Sequence, residues 1–322
     1  MVDVAQLVRA PVCGTGGRGF KSRHPPQAIF SDGYPSEIFI VTQGVVMAEC
    51  SHDCGSCAQN CADRTAPQSL LEKLNPHARV QKVIAVCSGK GGVGKSMVTA
   101  LLAATAQKQG LQAAVLDADI TGPSIPKMFG VHERAQGDQS GVYPVCSSSG
   151  VQLMSLNLLL DDQTDPVIWR GPLITGTVKQ FWTEVIWDNV DVLFVDMPPG
   201  TGDTTLTVFQ SLPVDGIVFV STPQELVGMI VEKAVKMART MHLPLTALVE
   251  NMSYFVCPDC GKEHEIFGKS QAQTLAQKYH IEATARLPLN PELAAAADRG
   301  GIEGLHLTQL DSVLRAIDAI KK

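Results

Sequence analysis

The residues best suited to chemistry in this chain form a glycine- and lysine-rich run, Gly89-Lys90-Gly91-Gly92-Val93-Gly94-Lys95-Ser96. Glycines allow backbone N–H groups to turn toward phosphate oxygens. Lys95 is placed to reach the β- and γ-phosphates, and the Ser96 hydroxyl is a suitable ligand for Mg²⁺. The spacing therefore predicts a P-loop that binds the phosphates of a nucleotide. The alternative is a glycine-rich turn that binds nothing.

Acidic residues follow two apolar segments of the kind that form buried strands. Asp117 and Asp119 come after the apolar run 113–116, and Asp196 follows the run 192–195. Carboxylates that face bound phosphates can hold Mg²⁺ through water or orient an attacking water. We therefore expect Asp196 to bind Mg²⁺ through water. For Asp117 and Asp119 a turn-forming role is the alternative, and the neighbouring P-loop favours the functional one.

Thiols form two further groups. Four are clustered in twelve residues, at Cys50, Cys54, Cys57 and Cys61. Four thiolates on one short segment can close around an iron–sulfur cluster, which we favour, or around Zn²⁺, and idle thiols are a third interpretation. The second group is Cys257 and Cys260, separated by Pro-Asp. Cys87, in an apolar run, and the isolated Cys146 are interpreted as structural.

These side chains must be positioned by regular elements, and the chain after residue 80 alternates strand-like with helix-like segments. A strand at Val83–Cys87 precedes the P-loop, and a helix at Met97–Gln109 follows it. The other strand candidates are Ala113–Asp117, Val151–Leu156, Val192–Asp196, Gly216–Ser221, Thr246–Asn251 and Ile281–Leu287. Continuous apolar strands separated by helices predict an α/β fold with a mostly parallel, doubly wound sheet. Ligands then bind at the carboxyl ends of the strands, where the motifs fall.

Helical periodicity is clearest at Glu225–His242 and Lys269–His280. Leu70, Leu71 and Leu74 are also helically spaced, which predicts a short linker helix within Thr65–Pro76. A C-terminal helix carries the apolar residues Leu310, Val313, Leu314, Ile317 and Ile320. We expect this last helix to pack on the core, and a membrane-surface helix is the alternative.

Composition and charge restrict the class of protein. The 322 residues are 45% hydrophobic and 18% charged, with a net charge of −6. This charge disfavours nucleic acid as a partner, and no apolar run approaches the roughly 18 residues of a membrane helix. We therefore expect a cytoplasmic protein with neither a nucleic-acid nor a membrane partner. Nine cysteines in that compartment indicate metal or redox use rather than disulfides.

Three regions are expected along the chain: 1–46, 47–79 and 80–322. Residues 1–46 show no helix or strand period and resemble the translated sequence of a transfer-RNA gene. We therefore expect the native chain to begin at Met47, and a disordered arm is the alternative. Residues 47–79 hold the clustered cysteines and the linker helix, and residues 80–322 form the P-loop domain.

A second lysine in the P-loop gives the first resemblance to a known family. Lys90 follows the first glycine, and the run Gly89–Ser96 resembles the deviant Walker A motif of the Min, Par and nitrogenase-iron-protein ATPases, the SIMIBI-type P-loop NTPases. Other motifs resemble those of the Mrp-type iron–sulfur cluster carrier ATPases. These are Trp169-Arg170-Gly171-Pro172, Asp196–Asp203, Ser221–Glu225, Asn251-Met252-Ser253 and Cys257–Cys260 followed by Phe267-Gly268.

The resemblance implies an ATP-hydrolysing homodimer that binds Mg²⁺ and a 4Fe–4S cluster and transfers the cluster to apo iron–sulfur proteins. In such ATPases the early lysine, here Lys90, reaches the nucleotide of the partner subunit, and Asp119 orients the attacking water. Asn251 matches a position that reads adenine, although a turn or cap role is an equal interpretation. Two copies of Cys257 and Cys260 near the dimer axis would supply four thiolates to one bridging cluster.

The chain also departs from that family, and other classes compete. It lacks the small α/β domain that many relatives carry in front, and the spacing of its N-terminal cysteines differs, which leaves the metal there open. A Par- or Min-type positioning ATPase would need a basic face or a membrane helix and would not use Cys257 and Cys260. A nitrogenase-iron-protein-like reductase would place its cysteines on separate loops. A zinc-binding P-loop protein remains an alternative because Cys-Pro-Asp-Cys-Gly resembles a zinc knuckle.

Overall fold

The structure is a computed structural model that describes residues 70–120, 122, 124–160, 171–200, 202–226 and 229–320. These residues belong to a unit that spans Thr65–Lys322. The expectations for residues 1–46, for the start at Met47 and for the four clustered cysteines lie outside the described residues.

One mixed sheet forms the centre of this unit. Its strands are β1 (Val80–Ser88), β2 (Ala113–Asp117), β5 (Val145–Cys146), β6 (Gln152–Met154), β7 (Val190–Asp196), β8 (Gly216–Ser221), β9 (Leu245–Val256), β10 (Glu263–His264) and β11 (Ala283–Pro288). Their order is β10-β9-β8-β1-β7-β2-β6-β5, and β11 pairs with β9. Only β5 and β10 run antiparallel to their neighbours. Two more short strands, β3 (Gln136–Asp138) and β4 (Gly141–Tyr143), form a separate hairpin.

Helices cover both faces of the sheet. They are α1 (Lys95–Lys108), α2 (Ile125–Met128), α3 (Gly171–Thr183), α4 (Asp203–Ser211), α5 (Pro223–Leu226), α6 (Met229–Thr240), α7 (Ala272–Tyr279), α8 (Pro291–Asp298) and α9 (Asp311–Asp318). Successive residues of a strand point to opposite faces. In β1, Val83 and Ala85 accordingly join a core with α3, α4, α6 and α7, whereas Ile84 and Val86 join a second core with α1 and α9. The predicted mostly parallel α/β fold is confirmed.

The C-terminal helix packs on the core as predicted, since Val313, Leu314 and Ile317 of α9 are buried. None of the helices in the described parts of the chain is long and apolar enough to cross a membrane. The predicted linker helix is wrong over residues 70–76, which are not helical. That segment instead contacts α3, where the indole Nε1 of Trp182 donates to the carbonyl oxygen of Glu72 at 3.1 Å. The helical spacing of the leucines in this segment does not correspond to a buried helix face, because Leu70 and Leu71 are exposed.

Strand β9 is longer than the sequence predicts. The apolar pattern ends at Asn251, but the strand continues to Val256 and turns into the antiparallel β10. Met252 has a left-handed φ of 54°, which a non-glycine residue rarely adopts. This residue separates the half of β9 that pairs with β8 from the half that leads to Cys257.

Candidate functional site

The P-loop joins β1 to α1 at the carboxyl edge of the sheet. Gly92 and Gly94 have φ values of 83° and 81°, a region that favours glycine. A Cβ atom at Gly94 would lie 2.3 Å from Nδ2 of Asn251, so a side chain is excluded there by space as well as by conformation. The loop opens onto a cavity of about 240 Å³ that is bordered by the loop itself, Asp119, Ser124 and Pro199. Its glycines therefore have the conformation that phosphate binding by backbone N–H groups requires.

Asp196, at the end of β7, joins the residues of the P-loop in one buried network. Lys95 Nζ donates to Asp196 Oδ1 at 2.7 Å, and Ser96 Oγ donates to Asp196 Oδ2 at 2.6 Å. Thr99 Oγ1 donates to Asp196 Oδ1 at 2.8 Å. A serine hydroxyl beside a buried carboxylate is a donor set that suits Mg²⁺ and its waters. The structure therefore brings Lys95, Ser96 and Asp196 together, as the sequence predicts.

Thr99 was not found by sequence reasoning. It lies one helical turn after Lys95, and its hydroxyl is fully buried against Asp196. The i,i+4 spacing from Lys95 on a helix that begins in the P-loop is the signal that could have identified it.

Asp117 and Asp119 occupy different positions at the end of β2. The Asp119 carboxylate is partly accessible and lies 3.8 Å from Lys95 Nζ, beside the cavity. Asp117 is fully buried and accepts hydrogen bonds from Ser155 Oγ at 3.0 Å and from the Asp119 N–H at 3.2 Å. Burial, reinforced by the nearby Asp196 carboxylate, raises the pKa of Asp117 to about 8. Asp119 thus faces the cavity, whereas Asp117 supports the turn behind it.

The raised pKa of Asp117 predicts a pH-dependent effect of Asp117→Asn on stability. A carboxyl group with a raised folded-state pKa stabilises the fold at low pH, and this contribution is lost as pH rises through the unfolded and then the folded pKa. The asparagine keeps an oxygen for the Asp119 N–H and cannot ionise. We therefore expect its melting temperature, relative to that of the wild type, to rise between pH 5 and about pH 8.

Thermal unfolding of both nucleotide-free proteins in a metal chelator checks this prediction. Comparison of the two proteins cancels the titration of all other groups to first order. A difference in melting temperature that stays constant, or that falls with pH, would contradict the assignment.

Asn251 lies directly behind the P-loop rather than in the open cavity. Its Nδ2 donates to the carbonyl oxygen of Val93 at 2.9 Å, and the residue is fully buried. Its Oδ1 has no hydrogen-bond partner among the described residues. The side-chain amide of Asn251 thus holds the back of the P-loop in place. That Asn251 also contacts adenine stays a prediction.

Cys257 and Cys260 lie on the turn that connects β9 with β10, which we call the cysteine hairpin (residues 254–266). The Cys257 N–H donates to the Lys262 carbonyl at 3.0 Å, and the Gly261 N–H donates to the Cys257 carbonyl at 2.9 Å. Backbone N–H groups of Cys260 and Asp259 point at the Cys257 sulfur and lower the pKa of its thiol. Such N–H···S contacts stabilise a thiolate and thus a metal ligand. Within the described residues, no group of three or more His, Cys, Asp or Glu side chains could hold a metal ion.

The four described cysteines differ in environment, and this predicts an order of reactivity. Burial raises the pKa of Cys87 to about 12, whereas Cys146 is exposed and the pKa of Cys257 is lowered. Because the thiolate is the reactive form, we expect iodoacetamide to label Cys257 before Cys146 at neutral pH. Cys87 should react only after unfolding. Peptide-resolved mass spectrometry of the reduced, metal-free protein measures all three rates, and labelling of Cys87 in the native protein at the rate of Cys146 would refute the order.

The chain is similar in sequence and in fold to known proteins. The ParA family model, described as "NUBPL iron-transfer P-loop NTPase", matches residues 79–320. An "Iron-sulfur cluster carrier protein" of Methanococcus maripaludis is 41% identical over 259 residues, which cover 78% of this chain and 89% of the relative. A protein of the same name from Clostridium perfringens is 42% identical, and the match covers 78% of this chain and 93% of that protein.

Solved structures give the same fold. A nucleotide-binding protein from Archaeoglobus fulgidus, in complex with ADP, is 42% identical with a TM-score of 0.66, over 72% of this chain and 91% of its own. The cell division ATPase MinD of Pyrococcus furiosus has a TM-score of 0.52 at 15% identity, over 74% of this chain and 97% of its own, and therefore shows the fold alone.

Proposed function

The chain belongs to the family of NUBPL-type iron-transfer P-loop NTPases, and from that premise we propose that it is an ATP-hydrolysing carrier of a 4Fe–4S cluster for apo iron–sulfur proteins. The observation that carries this proposal is one strand, β9, which contacts the P-loop at Asn251 and ends at the cysteine hairpin. The proposed nucleotide site and the cysteine pair would thus be joined by one strand, which supports a link between nucleotide and cargo. We place the protein in the cytoplasm, where thiols remain reduced.

The nucleotide part of the proposal rests on the buried network at Asp196. Lys95 and the P-loop N–H groups would bind the phosphates, while Ser96 and Asp196 would hold Mg²⁺, which neutralises charge on the phosphate oxygens. Asp119 borders the same cavity with a partly accessible carboxylate, so it can orient the attacking water. Thr99 keeps the Asp196 carboxylate in place through its hydrogen bond.

The cluster is the cargo, and the proposed ligands are Cys257 and Cys260. A 4Fe–4S cluster takes four thiolates, but the hairpin of one subunit supplies two. A homodimer with the hairpins near its two-fold axis would supply the other two from the second copy. The four clustered cysteines of the N-terminal segment would form a separate site for a cluster or Zn²⁺.

Lys90→Ala is expected to separate nucleotide binding from hydrolysis. Lys90 is exposed at the rim of the cavity, whereas Lys95 is buried beside Asp196. If Lys90 acts on the nucleotide of the partner subunit, its loss should leave the affinity for ADP within about twofold and reduce ATP hydrolysis by roughly 100-fold or more, as for removal of a cationic finger. Calorimetry and phosphate release measure the two quantities. Equal hydrolysis by the wild type and the variant would count against the assignment.

Anaerobic reconstitution with iron and sulfide tests the proposed cargo. We expect a broad absorbance at about 400 nm and about four iron and four sulfide atoms per hairpin pair. We also expect transfer of the cluster to an apo-ferredoxin. The transfer is then compared with Mg-ATP, with Mg-ADP and without nucleotide. Stoichiometric zinc without iron would contradict the cluster proposal and favour a zinc knuckle.

A further inference from the structure

Strand β9 connects the P-loop to the thiols within a few residues. Its first half pairs with β8 up to Glu250, and the next residue, Asn251, contacts the Val93 carbonyl of the P-loop. Cys257 is six residues further on, at most about 20 Å of extended chain. Side-chain contacts that fix the second half of β9 therefore also fix the position of the Cys257 and Cys260 thiols relative to the proposed nucleotide site.

The second half is interrupted at its start by Met252. The residue has a left-handed φ of 54°, and the pairing of β9 with β11 shifts register between Glu250 and Tyr254. Such a conformation persists only where the residues around it are held in place. Contacts on either side of Met252 must therefore determine the direction in which the cysteine hairpin leaves the sheet.

Arg286 of β11 supplies such contacts on both sides. Its Nε donates to Ser253 Oγ at 2.8 Å, and Ser253 Oγ donates to Glu250 Oε1 at 2.5 Å. Its Nη2 donates to Glu265 Oε1 of the cysteine hairpin at 3.2 Å. The guanidinium also lies over the ring of Tyr254, 5.2 Å from its centroid. We call Glu250, Ser253, Arg286 and Glu265 the Arg286 bridge.

Burial and charge make this bridge specific to an arginine. Glu250 is 0% exposed, and Arg286 Nε lies 3.8 Å from its Oε1. The other carboxyl oxygen of Glu250, Oε2, has no hydrogen-bond partner in the part of the chain that the structure describes. A nearby cation stabilises the ionised form of a buried carboxyl group. The planar guanidinium can serve Ser253 and Glu265 from separate nitrogens, which a lysine cannot do.

We propose that Arg286 is a positioning residue that couples the P-loop to the cysteine hairpin, so that nucleotide binding changes the accessibility of the Cys257 thiol. The coupling runs through Asn251 and Glu250, which are adjacent on β9, and through the bridge to Glu265. This inference deepens the proposed function, since it rests on nucleotide binding and on the hairpin thiols. It does not need iron.

The test measures alkylation of thiols in the full-length, reduced, metal-free protein by peptide-resolved mass spectrometry. The rate at Cys257 is divided by the rate at the exposed Cys146, with and without Mg-ADP. In the wild type we expect nucleotide to change this ratio by about fivefold or more, the lower end of typical coupling between two sites. In Arg286→Gln the change should fall below about twofold, while calorimetry shows that ADP still binds.

Two further variants exclude a loss of folding as the cause. Glu265→Ala removes the acceptor at the hairpin end of the bridge and leaves Glu250 paired. The double variant Arg286→Gln, Glu250→Gln removes the buried charge together with its cation. Both should keep ADP binding and lose the nucleotide response. Arg299→Gln, at an exposed arginine that follows α8, is the matched control and should keep the response.

The outcomes separate this inference from the proposed function. If the wild type binds ADP but the Cys257 ratio does not change, the coupling is wrong while the carrier proposal stands. If Arg286→Gln and Glu265→Ala lower the melting temperature but keep the nucleotide response, Arg286 is only structural and the inference is overturned. If the response depends on Arg286 but reconstitution gives no iron, the inference stands and the proposed cargo fails.

Discussion

Lys95→Ala is expected to lower the affinity for ADP and ATP by about 100-fold or more, because two or more charge-assisted hydrogen bonds to phosphate, each worth about 1.5–3 kcal/mol, are lost. Lys95 is suited to this role by its position. Its side chain is 6% exposed, and Nζ is held at 2.7 Å from Asp196 at the floor of the P-loop. Calorimetry with ADP, with and without Mg²⁺, measures the loss.

The same substitution has a cost in the nucleotide-free protein. Asp196 is buried, and removal of one member of a buried ion pair typically costs about 3–5 kcal/mol. Lys95→Gln keeps a neutral donor near Asp196 and therefore separates the loss of binding from a loss of folding. Lys90→Ala, in the same loop, is the matched control and should keep ADP affinity. ADP affinity of a folded Lys95→Gln protein equal to that of the wild type would remove Lys95 from the phosphate site.

Removal of both hairpin thiols is expected to abolish the bridging cluster. A full-length background in which the four clustered N-terminal cysteines are replaced by alanine isolates the hairpin. In that background we expect about four iron atoms per dimer with Cys257 and Cys260 present, and almost none in Cys257→Ala, Cys260→Ala. Iron and sulfide analysis after anaerobic reconstitution provides the measurement.

The single variant Cys146→Ala is the control for this experiment. Cys146 is exposed on the edge strand β5, so its loss should change neither iron content nor dimer formation. The proposed bridging site also requires that the clusterless double variant still binds ADP, because the P-loop is intact. Equal iron in the background with and without the hairpin thiols would show that the cluster is held elsewhere.

The sequence predicts the central strands well because they are buried on both faces. The predicted bounds of β2 and β8, Ala113–Asp117 and Gly216–Ser221, agree with the structure residue for residue. Both are almost entirely apolar runs, the pattern expected of strands that are buried on both faces of a parallel sheet. The exposed hairpin of β3 and β4 has no such pattern, since Gln136–Asp138 is exposed throughout, and it was not predicted.

Residues of the site were predicted where local sequence determines the chemistry. The P-loop, Asp196 and the Cys257–Cys260 pair are local motifs. The structure places the P-loop between β1 and α1 and Asp196 at the end of β7, as expected. Thr99 and Arg286 were missed because their partners, Asp196 and Ser253, are 97 and 33 residues away in sequence. The extension of β9 was missed because the polar Asn251 and Ser253 end the apolar run by which the strand was identified.

The strand order of the sheet also determines when the P-loop can form during synthesis. The central strand β1 has β7 and β8 as its neighbours, and its Val86 pairs with Asp196, roughly 110 residues later. A ribosome that adds about 5–20 residues per second needs roughly 5 to 20 seconds to make that segment. During this interval the apolar β1 has no partner strand, so a chaperone for the nascent chain is expected to bind there. The P-loop can therefore reach its final structure only after translation of β7, and the N-terminal thiols leave the ribosome well before the P-loop domain that follows them can fold.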